Sequence, residues 1–173
     1  MSDRQLFVLR HVKSSWADAG LSDHARPLAE RGRQSLGRLR RYLTERQPPV
    51  DTILCSSAVR AVDTFEGVRP ALPGSAAVMI EDDLYGASAT TLLDRLRAVP
   101  DETRIVMMVG HNPGLEDLVH GLAGDGDRAA LERLAHKLPT GALAEIHLDR
   151  PWPELEPGCG YLASFVIPRE LPD

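Results

Sequence analysis

Ile105-Val106-Met107-Met108-Val109, followed by Gly110-His111-Asn112-Pro113-Gly114, is the stretch from which the fold is read. Five apolar residues in a row, with no helical punctuation, predict a buried strand. Asn112 then reads as an N-cap and Pro113 as a first-turn residue of a helix. Leu115, Leu118, Val119 and Leu122 supply the apolar stripe of that helix.

The same alternation extends in both directions. Upstream, Leu6 to Leu9, Asp51 to Ser56 and Ala76 to Ile80 read as strands. Leu28 to Arg46, Ala58 to Val68 (with Ser57 as N-cap) and Ala89 to Val99 read as helices. Leu36, Leu39 and Leu43 fall on one face of the first helix, and its many arginines read as a solvated face rather than a docking patch. Downstream, Gly124 to Asp127 reads as a turn. Leu131, Leu134 and Leu138 suit a further helix, and Ala142 to Asp149 and Tyr161 to Ile167 read as closing strands. Strands alternating with helices predict a layered α/β domain with a central, mostly parallel sheet flanked by helices. A length of 173 residues, 1–173, fits one such domain.

Composition narrows the functional classes. A net charge of -5 argues against a general nucleic-acid binder, and no apolar run approaches a membrane span. Met1 to Arg10 lacks the pattern of a signal peptide. Cys55 and Cys159 are too few and isolated for a disulfide scaffold, so the expected location is cytoplasmic. There is no HExxH, GxGxxG or GxxxxGK[ST] motif, and His111 and His120 would lie on opposite faces of a helix. No metal or other cofactor is expected.

Three strand ends carry related chemistry: Arg10-His11, Cys55-Ser56-Ser57 leading to Arg60, and Gly110-His111-Asn112. In a parallel sheet these ends share one edge, where ligands of such folds bind. Arg60 falls in the first turn of its helix, facing the positive end of the dipole. A bound anion would remove that conflict. Arginine forks neutralise phosphate oxygens, a neutral imidazole can attack phosphorus, and a second histidine can stabilise the transferring group.

These segments resemble the histidine phosphatase superfamily. The resemblance runs through Leu9-Arg10-His11-Val12-Lys13-Ser14-Ser15-Trp16, Asp23-His24-Ala25-Arg26-Pro27-Leu28 and Arg31-Gly32. It continues in Ser56-Ser57-Ala58-Val59-Arg60-Ala61, Leu84-Tyr85-Gly86 and Gly110-His111-Asn112-Pro113-Gly114. It implies a three-layer, phosphoglycerate mutase-like fold. His11 would be the phosphorylated nucleophile, with Arg10, Arg60 and His111 completing the catalytic pocket. Ser14 and Asn112 would join Arg10 and Arg60 in phosphate binding. The Arg26-Pro27-Leu28 segment and the short length resemble the small SixA-type phosphohistidine phosphatases, whereas mutase-like members usually carry a glycine where Val12 stands.

One departure concerns the general acid. Many superfamily members have a glutamate two residues after the leucine matching Leu84, and this chain has Gly86. Glu81, Asp82 and Asp83 are the substitutes to consider. Imidazole leaves phosphorus far more readily than a serine alkoxide, so a missing acid costs less for phosphohistidine than for phosphoserine. The expected substrate is therefore a phosphorylated protein, such as a histidine phosphorelay protein, or a small phosphorylated molecule. The alternatives are a metabolite phosphatase and a phosphoprotein-binding domain that has lost turnover.

Overall fold

In the computed structural model, which describes residues 3–173, strand β1 (Arg4–Arg10) divides its side chains between two cores. Leu6 and Val8 enter one and Phe7 and Leu9 the other, as the two-residue period of a strand requires. The remaining strands are β2 (Thr52–Ser56), β3 (Ala77–Glu81), β4 (Ile105–Gly110), β5 (Ala123–Gly126), β6 (Leu143–Leu148) and β7 (Gly160–Val166). They form one sheet in the order β3-β2-β4-β1-β6-β7-β5. Pairing is parallel from β3 through β2 and β4 to β1, and again between β7 and β5. Only β6 runs antiparallel to its neighbours.

Helices cover both faces. α1 (Glu30–Arg46) and α2 (Val59–Val68) contribute Leu39, Leu43, Phe65 and Val68 to the Phe7/Leu9 core. α3 (Ala89–Arg97), α4 (Gly114–Leu122) and α5 (Arg128–His136) contribute Leu92, Leu96, Leu115, Leu118 and Leu134 to the other. Each such leucine removed from water stabilises the fold by about 1.5–3 kcal/mol. Two apolar faces on a strand demand two helical layers, so the result is a three-layer α/β fold. Among the described residues, no helix is long and apolar enough to cross a membrane.

Three local expectations are corrected. Gly124 to Asp127 was expected to be a turn, yet residues 123–126 form β5. Its pairing with β7 supplies what the glycine-rich sequence does not. Ser57 is not the cap of α2: Ala58 holds that position, and the Ser57 hydroxyl bonds the His24 ring at 2.9 Å. Asn112 does not cap α4 either. Pro113 is the residue before the first turn, and the Asn112 amide is drawn away to Glu116 and Leu138.

Candidate active site

β2, β4 and β1 are parallel neighbours and end side by side, with Arg10 opposite Gly110 in register. The next residue along each of two strands is a histidine, and the rings of His11 and His111 lie 5.2 Å apart. Both are buried, at 7% and 9% exposure. Arg60, in the first turn of α2, is also buried and lies close enough to influence both rings.

Local bonding fixes the His11 ring. Its Nδ1 lies 2.8 Å from the Val12 carbonyl, an oxygen that can only accept, so Nδ1 carries the proton. Nε2 then holds the free lone pair. The Val12 amide donates to Thr64 Oγ1 (3.1 Å), and that hydroxyl donates to the Arg60 carbonyl (2.6 Å). One side chain thus ties the histidine loop to α2. α1 approaches the same loop closely: a Cβ at Gly32 would meet the Lys13 carbonyl oxygen at 2.2 Å. Only glycine fits there.

His111 Nε2 bonds Ser56 Oγ at 2.7 Å. That hydroxyl also accepts from the Ala58 amide (3.3 Å) and has one hydrogen that it can donate to Nε2. With the Ser56 hydrogen on Nε2, the proton of the neutral ring sits on Nδ1, a buried atom without a hydrogen-bond partner among the described residues. Burial, more than any neighbour, lowers both imidazole pKa values, to about 3 for His11 and about 4 for His111. Arg60 and Arg10 push in the same direction. Both rings are neutral at neutral pH. A site holding two arginines, a free Nε2 and an unpartnered N–H is built for an anion with an electrophilic centre.

Each arginine is held by its own support. Arg10 donates to the Leu138 carbonyl at 3.0 Å. Asn112 Nδ2 donates to the same carbonyl (2.8 Å) and to Glu116 Oε2 (3.0 Å), which also accepts from the Leu138 amide (2.8 Å). Burial lowers the Arg10 pKa, while Glu116 opposes that shift. Arg60 donates to the Asp23 carbonyl (2.7 Å) and to Asp23 Oδ2 (3.0 Å). The same carboxylate oxygen accepts from the Tyr85 hydroxyl (2.6 Å), and Oδ1 accepts from Arg26 (3.1 Å). The Tyr85 hydrogen bond, with Arg60 and Arg26, holds the Asp23 pKa below the ordinary carboxylate value. Tyr85 itself lies edge-on to His111 (5.5 Å) and His24 (4.9 Å).

Asp23 and Tyr85 are the residues that sequence reasoning missed. Both fall in segments that carry the family resemblance, yet neither was given a role: beyond the i,i+3 spacing of Asp23 and Arg26 nothing local marks them, since Arg60 and Tyr85 reach Asp23 from 37 and 62 positions away. Of the other expected residues, Ser14 is buried and its hydroxyl accepts from Arg26. Asn112 is committed to supporting Arg10, as described. Glu81 ends β3 with its carboxylate gripped by Arg95 at 2.8–3.1 Å, while Asp82 and Asp83 lie exposed in a single 3-10 turn. Gly86 has φ +66, a left-handed conformation in which a glutamate would be strained. Among the described residues, no group of three or more His, Cys, Asp or Glu is placed to hold a metal ion.

A layered sheet with two buried histidines and two arginines at its carboxyl edge defines the histidine phosphatase class. Residues 6–89 match the family profile of the histidine phosphatase superfamily, branch 1. The chain is 36% identical over 163 residues to an uncharacterized protein of Mycobacterium tuberculosis (strain ATCC 25618 / H37Rv), covering 93% of this chain and 100% of that one. Its fold matches the SixA protein of Nakamurella multipartitia with a TM-score of 0.80 and 26% identity, covering 95% and 96% of the two chains. It matches SixA of Agrobacterium tumefaciens with a TM-score of 0.78 and 28% identity, covering 95% and 97%. The chain belongs to the histidine phosphatase superfamily and is SixA-like. Phosphatase hydrolysis is the class of activity that this membership supports.

Proposed function

We propose that the protein removes a phosphoryl group from phosphohistidine on a protein, through a covalent phosphohistidine on His11. The carrying observation is the bond between His11 Nδ1 and the Val12 carbonyl, which leaves a neutral Nε2 beside two arginines. In the first step Nε2 attacks phosphorus while the bond to the leaving imidazole breaks, and water protonates the departing nitrogen. In the second step water attacks phosphorus, the P–Nε2 bond breaks and inorganic phosphate leaves. The water proton passes to solvent or phosphate, and His11 returns to its neutral form. Arg10 and Arg60 neutralise the phosphoryl oxygens, and His111 Nδ1 donates to the oxygen on which charge grows. Ser14 can still donate its own hydrogen, whereas Asn112 acts through Arg10.

Phosphohistidine is favoured as substrate because Gly86 stands where many family members have their acid and because phosphohistidine phosphatase is the activity proposed for the similar SixA proteins. A panel of phosphohistidine, phosphoaspartate and phosphoserine peptides, with a sugar phosphate as the metabolite control, tests the reading. Phosphohistidine should turn over fastest. Preference for the sugar phosphate would make this a metabolite phosphatase, and binding without turnover of any member would make it a phosphoprotein-binding domain.

A further inference from the structure

The structure assigns a second site on the same edge of the sheet: a basic cleft that docks an acidic segment of the phosphoprotein substrate. The cleft measures about 200 Å³ and is walled by Lys13, Arg31, Ser35, Arg38, Thr140 and Arg169. Its position follows from the topology. Lys13 comes two residues after His11, and Arg169 follows the end of β7, which runs in the same direction as β1. Thr140 precedes Gly141, whose amide donates to the carbonyls of Arg10 and His11. The cleft and the phosphoryl site therefore share a backbone wall.

The charge pattern points to an acidic occupant. The chain carries a net charge of -5, yet four cations line this one cleft. Arg38 is paired with Asp173. Lys13, Arg31 and Arg169 have no ion-pair partner among the described residues. The nearest carboxylates in sequence are engaged elsewhere: Glu30 faces Arg33 and Glu170 faces Arg133. Neighbouring cations repel one another, and an anionic partner relieves that cost. An extended acidic segment fits better than a lone anion, because the cations come from three separate chain segments around an open trough.

This inference rests on the proposed protein substrate, and two readouts separate the two. The first compares kcat/KM for a phosphohistidine peptide flanked by Asp and Glu, the same peptide flanked by Ser and Asn, and the phosphoramidate ion. The wild type should favour the acidic peptide by about tenfold at low salt, and the advantage should shrink as salt shortens the Debye length. Arg31→Glu/Arg169→Glu should abolish the preference while phosphoramidate turnover stays within about twofold. Arg31→Gln/Arg169→Gln should give an intermediate result. The second readout is fluorescence anisotropy with the unphosphorylated acidic peptide, which requires no turnover. If wild type binds it and the double Glu variant does not, the cleft stands even where phosphohistidine is not hydrolysed. Equal peptide affinity in both proteins overturns the inference. So does binding of inorganic phosphate in the cleft without any preference for the peptide.

Discussion

Asp23 holds Arg60 twice, through its backbone carbonyl at 2.7 Å and its carboxylate at 3.0 Å. The Arg60 fork, assigned to the proposed phosphoryl site, is thus oriented before any ligand arrives, and it is already partly neutralised. Asn at position 23 keeps an acceptor oxygen and the backbone bond but removes the charge. Asp23→Asn should therefore tighten inhibition by inorganic phosphate or tungstate severalfold, since the anion no longer faces a carboxylate. Asp23→Ala should weaken it, because orientation is lost as well. Inhibition constants for the two variants measure the balance, and equal weakening would show that orientation alone matters.

Arg10 depends on a longer chain of contacts. Glu116 binds the Leu138 amide and the Asn112 side chain, and Leu138 in turn holds Arg10. Glu116→Ala strands two partly buried donors. Unfolding in urea should show a loss of about 1–3 kcal/mol. Because Arg10 loses its support, KM for substrate and the inhibition constant for phosphate should both rise. A stability loss with unchanged phosphate affinity would mean that Arg10 is held by the sheet alone.

Buried strands were the most legible part of the fold. Leu6 to Leu9 and Ile105 to Val109 are apolar because both faces of the sheet are covered, so composition alone marks them. β5 was illegible for the opposite reason. Ala123-Gly124-Asp125-Gly126 contains no strand-forming side chain, and only its partner β7 makes it a strand. The same division runs through the site. Arg10, His11 and His111 sit next to strand ends, where a parallel sheet brings them together whatever the loops do. Asp23 and Tyr85 meet Arg60 through loop geometry, which leaves no periodic trace in the sequence. Ser57 and Asn112 look like helix caps locally, but His24, Glu116 and Leu138 compete for their side chains.

The two histidines should make the fold acid-sensitive. Their pKa values in the folded chain are about 3 and about 4, below the unfolded value of about 6.5. As pH falls below about 6.5 the unfolded chain takes up protons that the folded chain refuses, so stability is full above that pH and declines down to about pH 4 for His111 and about pH 3 for His11. Each histidine contributes a slope of up to about 1.4 kcal/mol per pH unit in that window. Urea unfolding at a series of pH values should show the slope, and His11→Asn or His111→Asn should each reduce it. Unchanged slopes in both variants would place the titration elsewhere.

Covalent labelling separates the two histidines. Of the two, His11 has its Nδ1 fixed by a carbonyl, with the Nε2 lone pair left free. His111 Nε2 is bonded to Ser56 instead. Rapid quenching during turnover, followed by mass spectrometry under non-acidic conditions, should find phosphate on His11. His11→Ala should lose activity by about three orders of magnitude or more. His111→Ala should still form the label, at a lower rate. Label on His111 in the wild type would reverse the roles.

The identity of the leaving group tests whether any acid serves the first step. Glu81 is tied to Arg95, position 86 is a glycine in a left-handed turn, and the Asp23 pKa is held low by Tyr85 and Arg60. Glu81 is thus turned to Arg95, position 86 offers no carboxyl, and Asp23, with its pKa lowered, is a poor proton donor to a departing oxygen. The rate of His11 phosphorylation should then fall steeply as the leaving group becomes more basic across a series of aryl phosphates. Each kcal/mol of transition-state stabilisation lost costs about fivefold in rate, so even a modest deficit separates phosphohistidine from phosphoserine clearly. Phosphorylation and dephosphorylation must be timed separately, because a slow second step would flatten the observed slope. A shallow slope in the first step would reveal a working acid. Asp23 would then be the first residue to replace, since it lies against Arg60, and Glu81, Asp82 and Asp83 would follow.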